Sequence, residues 1–357
     1  MDIVTTYLFP LLAFVTMISI IVIIHEWGHY RAGRLFGLIG THFSLGFGPK
    51  IVGWTDKRGT EWRLSPFLIG GYVRFPGDDE KNPVPEGTVT LQSLKRWQRA
   101  VVVGAGPGIN IVLAIALFSL IAGVWGYPVG RPVVQSVEAG SPAAAAGMAQ
   151  GDVIRTIDGN RIVTGNDVSK NVMLHPGRAT RVVVDRAGRE ESFSFPIGRR
   201  EFVDDDGNRA EIGYLGVKMP TVYERASNPV TAVVQGTSDG IFLTYAQLES
   251  LRQMVSGERS VTELSGPIKI ARASAKAMSF GLMPFVYLMA MISIAVAVMN
   301  LLPIPGLDGG HLATYAVEGV MRRDLPEKVG RRLVKVGLSL IVGLSIFAFT
   351  LDIVSLT

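Results

Sequence analysis

The chain has no cysteine, which excludes disulfides and any thiolate metal site. Histidine is scarce, with five in 357 residues, so a nitrogen-rich metal centre has few positions to draw on. Charge is scarce too. Only 18% of residues are charged against 48% hydrophobic, and the mean hydropathy is +0.33. A single soluble core does not need that balance; an integral membrane protein does. The excess of basic residues is small, at +5, and basic residues beside apolar spans are expected from membrane orientation, so nucleic acid is not an expected partner. Asp2 is the only early charge, and no small-residue cleavage site follows the first apolar run. The first span is therefore expected to stay attached rather than act as a cleaved signal peptide.

Four stretches are long and apolar enough to span a bilayer: residues 7–30, 100–125, 284–305 and 336–355. Residues 31–99 carry eleven Lys and Arg, and Arg322, Arg323, Lys328, Arg331 and Arg332 follow the third span. The positive-inside rule puts both segments in the cytoplasm, and hence 126–283 and both termini outside. The organisation expected is a membrane core in two halves, 1–125 and 284–357. A soluble domain at 126–218 and an amphipathic helical segment at 219–283 come between them. In that segment Leu248, Leu251, Met254 and Val255 keep helical spacing, which suits a helix on the outer membrane surface or a packed connector.

The first span runs into His25-Glu26-Trp27-Gly28-His29, an H-E-x-x-H pattern. On a helix, positions i and i+4 share a face, so both imidazoles can reach one metal ion. Glu26 is one residue round, placed to deprotonate a water rather than to ligate. The plain alternative is a pair of helical histidines with local hydrogen bonds. The third span ends in Asn300-Leu301-Leu302-Pro303-Ile304-Pro305-Gly306-Leu307-Asp308-Gly309-Gly310-His311. Two prolines break the helix there. The orientation argument puts that break on the same side as the histidine motif, so Asp308 can complete a His₂-carboxylate site with an open fourth position. His311 competes for the same role.

Residues 41–75 are not an ordinary loop. Phe43–Pro49 and Leu68–Phe75 are apolar and Gly-rich, and Thr60–Leu64 alternates like a strand. β-Hairpins dipping toward the bilayer are expected, tolerable there only if buried in protein or lining a wet cavity; a cytoplasmic β-meander is the alternative. Residues 76–90 read as an exposed loop. The second span opens with Gly104-Ala105-Gly106-Pro107-Gly108-Ile109-Asn110, where small residues permit close helix approach and Pro107 suggests a kink. Asn110 reads as an interhelix hydrogen bond in preference to a catalytic contact.

Within 128–218, Val133–Val137 reads as a strand and Gly140-Ser141-Pro142-Ala143 starts an Ala-rich helix. Asp152–Ile154 and Ile157-Asp158-Gly159-Asn160 then give a strand and a D-G turn. This S-P-A-x-x-A-G-M…G-D-x-I…I-D-G order resembles a PDZ domain, a fold that captures peptides by strand addition. Gly213, Tyr214, Leu215 and Gly216, with Val217, resemble the carboxylate-binding loop of protease-associated PDZ domains, late in the chain as in a permuted order. Peptide docking and simple obstruction of access both remain open.

The combination resembles the site-2 protease family, with its bacterial RseP-like branch closest. H-E-x-x-H ends span one, P-x-P-x-L-D-G-G-H ends span three and a PDZ-like insert separates spans two and three. Gly70–Val73, Ser93–Ala100 and Leu264–Ile268 add to the match. The resemblance implies an α-helical polytopic membrane protein of about four transmembrane helices with membrane-associated β-hairpins and an inserted α+β PDZ domain. It implies a zinc metalloendopeptidase of the bacterial inner membrane, with the PDZ domain periplasmic and the site toward the cytoplasm. His25, His29 and Asp308 would ligate one Zn²⁺ and Glu26 would be the base. Asn300 and the edge Gly70, Gly71, Tyr72 and Val73 would engage substrate. Implied substrates are single-pass membrane proteins of the anti-sigma-factor type, already trimmed by another protease; signal-peptide remnants are a further expectation. Better-known RseP members carry two tandem PDZ domains and this chain has room for one. Two other classes stay open: a catalytically idle membrane scaffold presenting the PDZ domain, and a metal transporter.

Overall fold

The computed structural model describes residues 8–77, 84–203, 209–261 and 266–354. Leu264 and Ser265 of the Leu264–Ile268 stretch, and part of the loop expected at 76–90, lie outside these residues. Four helices are long and apolar enough to cross a membrane: Phe9–Leu35, Arg96–Val124, Leu282–Leu301 and Lys328–Val354. The chain divides into two compact units, one formed by Met1–Phe118 with Ser265–Thr357, the other by Ser119–Leu264.

In the first unit, helix α1 (Phe9–Leu35) begins with proline in its first turn and ends where Gly37 takes a left-handed φ of 83°. Strands β1 (His42–Phe47), β2 (Val52–Thr55), β3 (Glu61–Leu64) and β4 (Phe67–Arg74) form a sheet in the order β2-β3-β1-β4. β2 and β3 make a hairpin, but β1 lies parallel to β3 and antiparallel to β4. A meander would pair every strand antiparallel to the next, so that alternative fails. β4 is left at the sheet's edge.

Helix α2 (Arg96–Val124) keeps Pro107 inside a continuous helix. Its small residues do what their spacing predicts. A Cβ on Gly28 of α1 would lie 2.5 Å from the carbonyl oxygen of Ala105, so the two helices approach backbone to backbone there. Past the second unit come α6 (Pro267–Ser279), α7 (Leu282–Leu301), α8 (Asp308–Met321) and α9 (Glu327–Val354), the labels α3 to α5 falling in that unit. Met17 and Ile21 of α1 pack with Phe285 and Met289 of α7, and Ile270 and Met278 of α6 close over them. Between spans this is van der Waals fit rather than water exclusion. The first turn of α6 is capped from another helix: Asp352 of α9 accepts from the backbone N–H of Gly266, Ile268 and Lys269 at 2.9, 2.8 and 3.2 Å.

Residues after span three do not run on as a loop. The chain reverses through Gly306, at φ 97°, and restarts as α8 at Asp308. The reversal is tight because Gly309 and Gly310 lack side chains: a Cβ on Gly309 would strike the carbonyl oxygens of Leu301 and Leu302, and one on Gly310 that of Ile304.

The second unit is α+β. Strands β7 (Val153–Ile157), β8 (Asn160–Arg161), β9 (Ala179–Arg186) and β10 (Arg189–Pro196) form a sheet in the order β10-β9-β7-β8. The turn before β8 uses Asp158 at φ 50° and Gly159 at φ 83°, the two-residue geometry expected from the D-G pair. Helix α3 (Pro142–Ala145) is capped by Ser141. The strand expected over Val133–Val137 is shorter: only β6 (Ser136–Val137) pairs, with β13 (Val217–Lys218), while Val133 makes one bridge to Val153. Helix α4 (Gly165–Val172), not anticipated, supplies Val168 and Val172 to a core shared with Ile154, Ile157, Val182 and Leu215. β11 (Gly198–Val203) pairs with β12 (Arg209–Tyr214), and β5 (Tyr127–Val129) with β14 (Val222–Glu224). Helix α5 (Pro229–Ser256) is tied to this core by Lys170–Asp239 at 2.7 Å and by Gln253 donating to Leu174 O at 2.7 Å. The face α5 buries carries Ala232, Gly236, Gly240 and Gln253, whereas Leu248 and Val255 of the predicted stripe are exposed, Val255 at 90%.

Candidate metal centre

α1 carries His25 and His29 one turn apart, and the reversal into α8 delivers Asp308 beside them. The imidazole Nε2 atoms are 3.2 Å apart. Asp308 Oδ2 lies 3.2 Å from Nε2 of His25 and 3.5 Å from Nε2 of His29. Three donor atoms at the corners of a four-coordinate site with bonds of about 2.1 Å would be separated by roughly 3.4 Å. The observed triangle fits. Asp308 Oδ2 is buried and makes no hydrogen bond of proper geometry to either ring, so its lone pairs remain for a cation. Space for the cluster is reserved on α2, where a Cβ on Gly106 would strike Nε2 of His29 and come within 2.8 Å of Nε2 of His25. These three residues are the one group among the described residues whose ligand atoms converge in this way. His311, the competing third ligand, instead sits against Tyr315, ring centroids 6.4 Å apart.

Glu26 is turned from the triangle toward the sheet. Its Oε2 accepts the backbone N–H of Val73 at 3.0 Å. Val73 thus aims its N–H away from β1 and at α1, and strand alternation gives Gly71 the same outward direction. Gly71 touches α1 closely, since a Cβ there would lie 2.9 Å from Val22 and 3.5 Å from Glu26. Tyr72 points to the other face, stacked on Phe47 with its hydroxyl accepting from Arg63. Gly70 also faces Phe47. Asn300 donates its side-chain amide to Val296 O within α7. In the second unit, Gly213 N–H donates to Met173 O, Leu215 is buried in the core, and Gly216 adopts φ 82° against Ser141; Tyr214 lies under Arg200.

Sequence reasoning missed the partners behind the histidines. Val102, Gly106 and Asn110 recur every four residues on α2, so they share a face. That face meets the imidazoles: Val102 O accepts from His29 Nδ1 at 2.9 Å and Asn110 contacts His25 Nδ1 at 3.2 Å. The period was visible in the sequence; what it faced was not.

Comparison with known proteins agrees with this centre. The model of Peptidase family M50 matches residues 13–344. A protein of Agrobacterium fabrum provisionally named a zinc metalloprotease is 36% identical, covering 99% of this chain and 97% of its own length. The metalloprotease MmpA of Caulobacter vibrioides is 32% identical, covering 96% and 94%. The solved PDZ domain of an SdrC-like protein from Listeria monocytogenes covers 24% of this chain and 84% of its own at 20% identity, with a TM-score of 0.20, too slight a likeness to carry an argument. With the family model and relatives that cover nearly the whole chain both in agreement with the resemblance read from the sequence, the protein belongs to peptidase family M50.

Proposed function

We propose that this protein is an intramembrane endopeptidase that cuts transmembrane segments of single-pass membrane proteins after another protease has trimmed them. The observation that carries the reading is the placement of the His25–His29–Asp308 triangle and Glu26 on a membrane-length helix, beside the edge of β4 that pairs with no other strand among the described residues. His25 and His29 would hold the ion through Nε2 and Asp308 through Oδ2. When bound, the zinc ion polarises the scissile carbonyl and acidifies a water.

Glu26 then does the proton work. It takes a proton from the attacking water as the oxygen bonds to the carbonyl carbon. It returns that proton to the amide nitrogen as the carbon–nitrogen bond breaks, so the amine leaves neutral. Val73 N–H fixes one carboxylate oxygen during this cycle.

A helical substrate hides its carbonyls and must unwind locally. Freed backbone groups cost several kcal/mol each in lipid unless they find partners. The outward edge of β4 would supply them through the backbone groups of Gly71 and the carbonyl of Val73, the Val73 N–H being held by Glu26. The sheet would lie at membrane depth, a setting that requires its backbone groups to be paired or to face protein or a wet cavity. Asn300 and the Gly70–Val73 edge would engage substrate. Anti-sigma-factor-type proteins and signal-peptide remnants are the substrate classes of this reading. The location is the bacterial inner membrane, with the inserted domain periplasmic and the site toward the cytoplasm, as basic residues in 31–99 and 322–332 support.

Glu26→Gln tests the core of the proposal. The variant should keep zinc and lose cleavage of a reconstituted transmembrane substrate by about 10²- to 10⁴-fold. Metal analysis beside the cleavage assay reads both, and normal turnover would sink the mechanism.

A further inference from the structure

α2 addresses both imidazoles from behind, but with different chemistry. His29 Nδ1 meets the backbone carbonyl of Val102 at 2.9 Å. A carbonyl only accepts, so His29 carries its proton on Nδ1 and turns an Nε2 lone pair to the triangle. His25 Nδ1 meets the amide nitrogen Nδ2 of Asn110 at 3.2 Å, and a carboxamide turned end for end accepts instead of donating. Asn110 is fully buried, its backbone carbonyl accepts from Ser293 Oγ at 2.8 Å, and its side-chain Oδ1 has no partner among the described residues.

We infer that Asn110 is a positioning residue for the metal centre: its Oδ1 accepts the Nδ1 proton of His25 and so fixes the tautomer that offers Nε2 to zinc. This rests on the zinc reading of the triangle. His25 Nε2 lies 3.2 Å from both His29 Nε2 and Asp308 Oδ2. A ring that ligates through Nε2 keeps its one proton on Nδ1, which makes the atom facing Asn110 a donor. Only the oxygen end of the amide can answer it. A half-turn about the last side-chain bond exchanges the near-isosteric O and N ends, bringing the unpartnered oxygen onto Nδ1. Val102 O and Asn110 Oδ1, two turns apart on α2, then serve the two histidines alike. Outer-shell acceptors of this kind orient a metal-bound imidazole and raise its basicity.

The test compares zinc affinity, by chelator competition on purified full-length protein in detergent, for wild type, Asn110→Leu and Asn110→Asp. Leu keeps the volume and removes the acceptor; Asp keeps an acceptor and removes the donor. Leu should bind zinc about 10- to 100-fold more weakly and Asp should restore most of the loss. Leu binding as tightly as wild type, or Asp as weakly as Leu, would overturn the inference. A measurement on the wild type avoids any folding defect of the variants. In zinc-loaded protein labelled with ¹⁵N-histidine, His25, identified by its loss in His25→Gln, should carry its proton on Nδ1; a proton on Nε2 overturns the role. If wild type itself binds no zinc, the reading of the triangle fails and takes this one with it. If it binds and Leu does as well, only the role of Asn110 falls.

Discussion

At the scale of single residues, the centre depends on which side chain completes it. Asp308 is the first residue of α8 and His311 lies one turn further on, but only Asp308 turns into the triangle. Loss of a partner behind a ligand costs about 10- to 100-fold in metal affinity, so Asp308→Ala, which removes a proposed direct ligand, should cost more than about 100-fold. His311→Ala should leave zinc content unchanged. Metal analysis of both purified variants decides it; a His311 variant stripped of metal would give the third ligand to the wrong residue. Gly106 matters for the opposite reason. Its value is the side chain it lacks, because any Cβ there occupies the space of both imidazoles.

At the scale of elements, β4 is the part proposed to meet substrate, and its register makes a prediction with a period. Gly71 and Val73 direct backbone groups outward while Tyr72 bonds inward to β1. An added substrate strand would therefore be held at every second residue. Replacing substrate amides by esters one at a time near the cleavage site removes single N–H donors. Each lost bond of about 1 kcal/mol should slow cleavage roughly fivefold at positions of one parity and leave the other parity unaffected. Equal effects at all positions would count against strand pairing. Substituting proline for Gly71 is a poorer test, since any Cβ there meets Ser44 O at 2.7 Å and disturbs the β1–β4 pairing itself.

At the scale of the whole molecule, the inserted domain is the feature that bears on selection. By connectivity it is tethered to the second and third spans, and Lys170–Asp239 with Gln253–Leu174 holds α4 and its C-terminal end to α5. Our proposal is that it filters by size, admitting substrates whose external parts have already been removed. Between α4 and the 217–223 segment a pocket of about 280 Å³ includes Met219, whose side chain packs along Gly165. Deleting 128–218 should let the protease cut a substrate with a bulky external domain at least about tenfold faster, a change of ~1.4 kcal/mol in barrier, with trimmed substrates cut as before. The comparison belongs in reconstituted vesicles, on substrates differing only in external bulk. If the deletion variant cuts trimmed substrates normally and bulky ones as slowly as the intact protein, the filter is wrong, and peptide docking through Gly213–Gly216 becomes the better account.

The sequence alone determined whatever is periodic or covalently local. Long apolar runs gave the four spans, because a bilayer demands about 20 apolar residues whatever their neighbours. H-E-x-x-H gave the two imidazoles, because helical spacing fixes their common face. The D-G pair gave its turn, since its backbone angles are set by the residues themselves. Tertiary structure decided what depends on distant partners. That β1 runs parallel to β3 is a pairing between separate segments that local propensity does not set. The helix at 308–321 was hidden because two prolines and three glycines read as a loop, yet those glycines are what allow the chain to fold back tightly enough to restart. The exposed stripe of α5 shows helical spacing without saying which side is covered; its small residues were the buried ones. Val73 N–H on Glu26 and Asn110 on His25 are contacts 47 and 85 residues apart in sequence. No pattern within either segment encodes such a pairing, because the energy that selects it exists only once the helices and the sheet are packed.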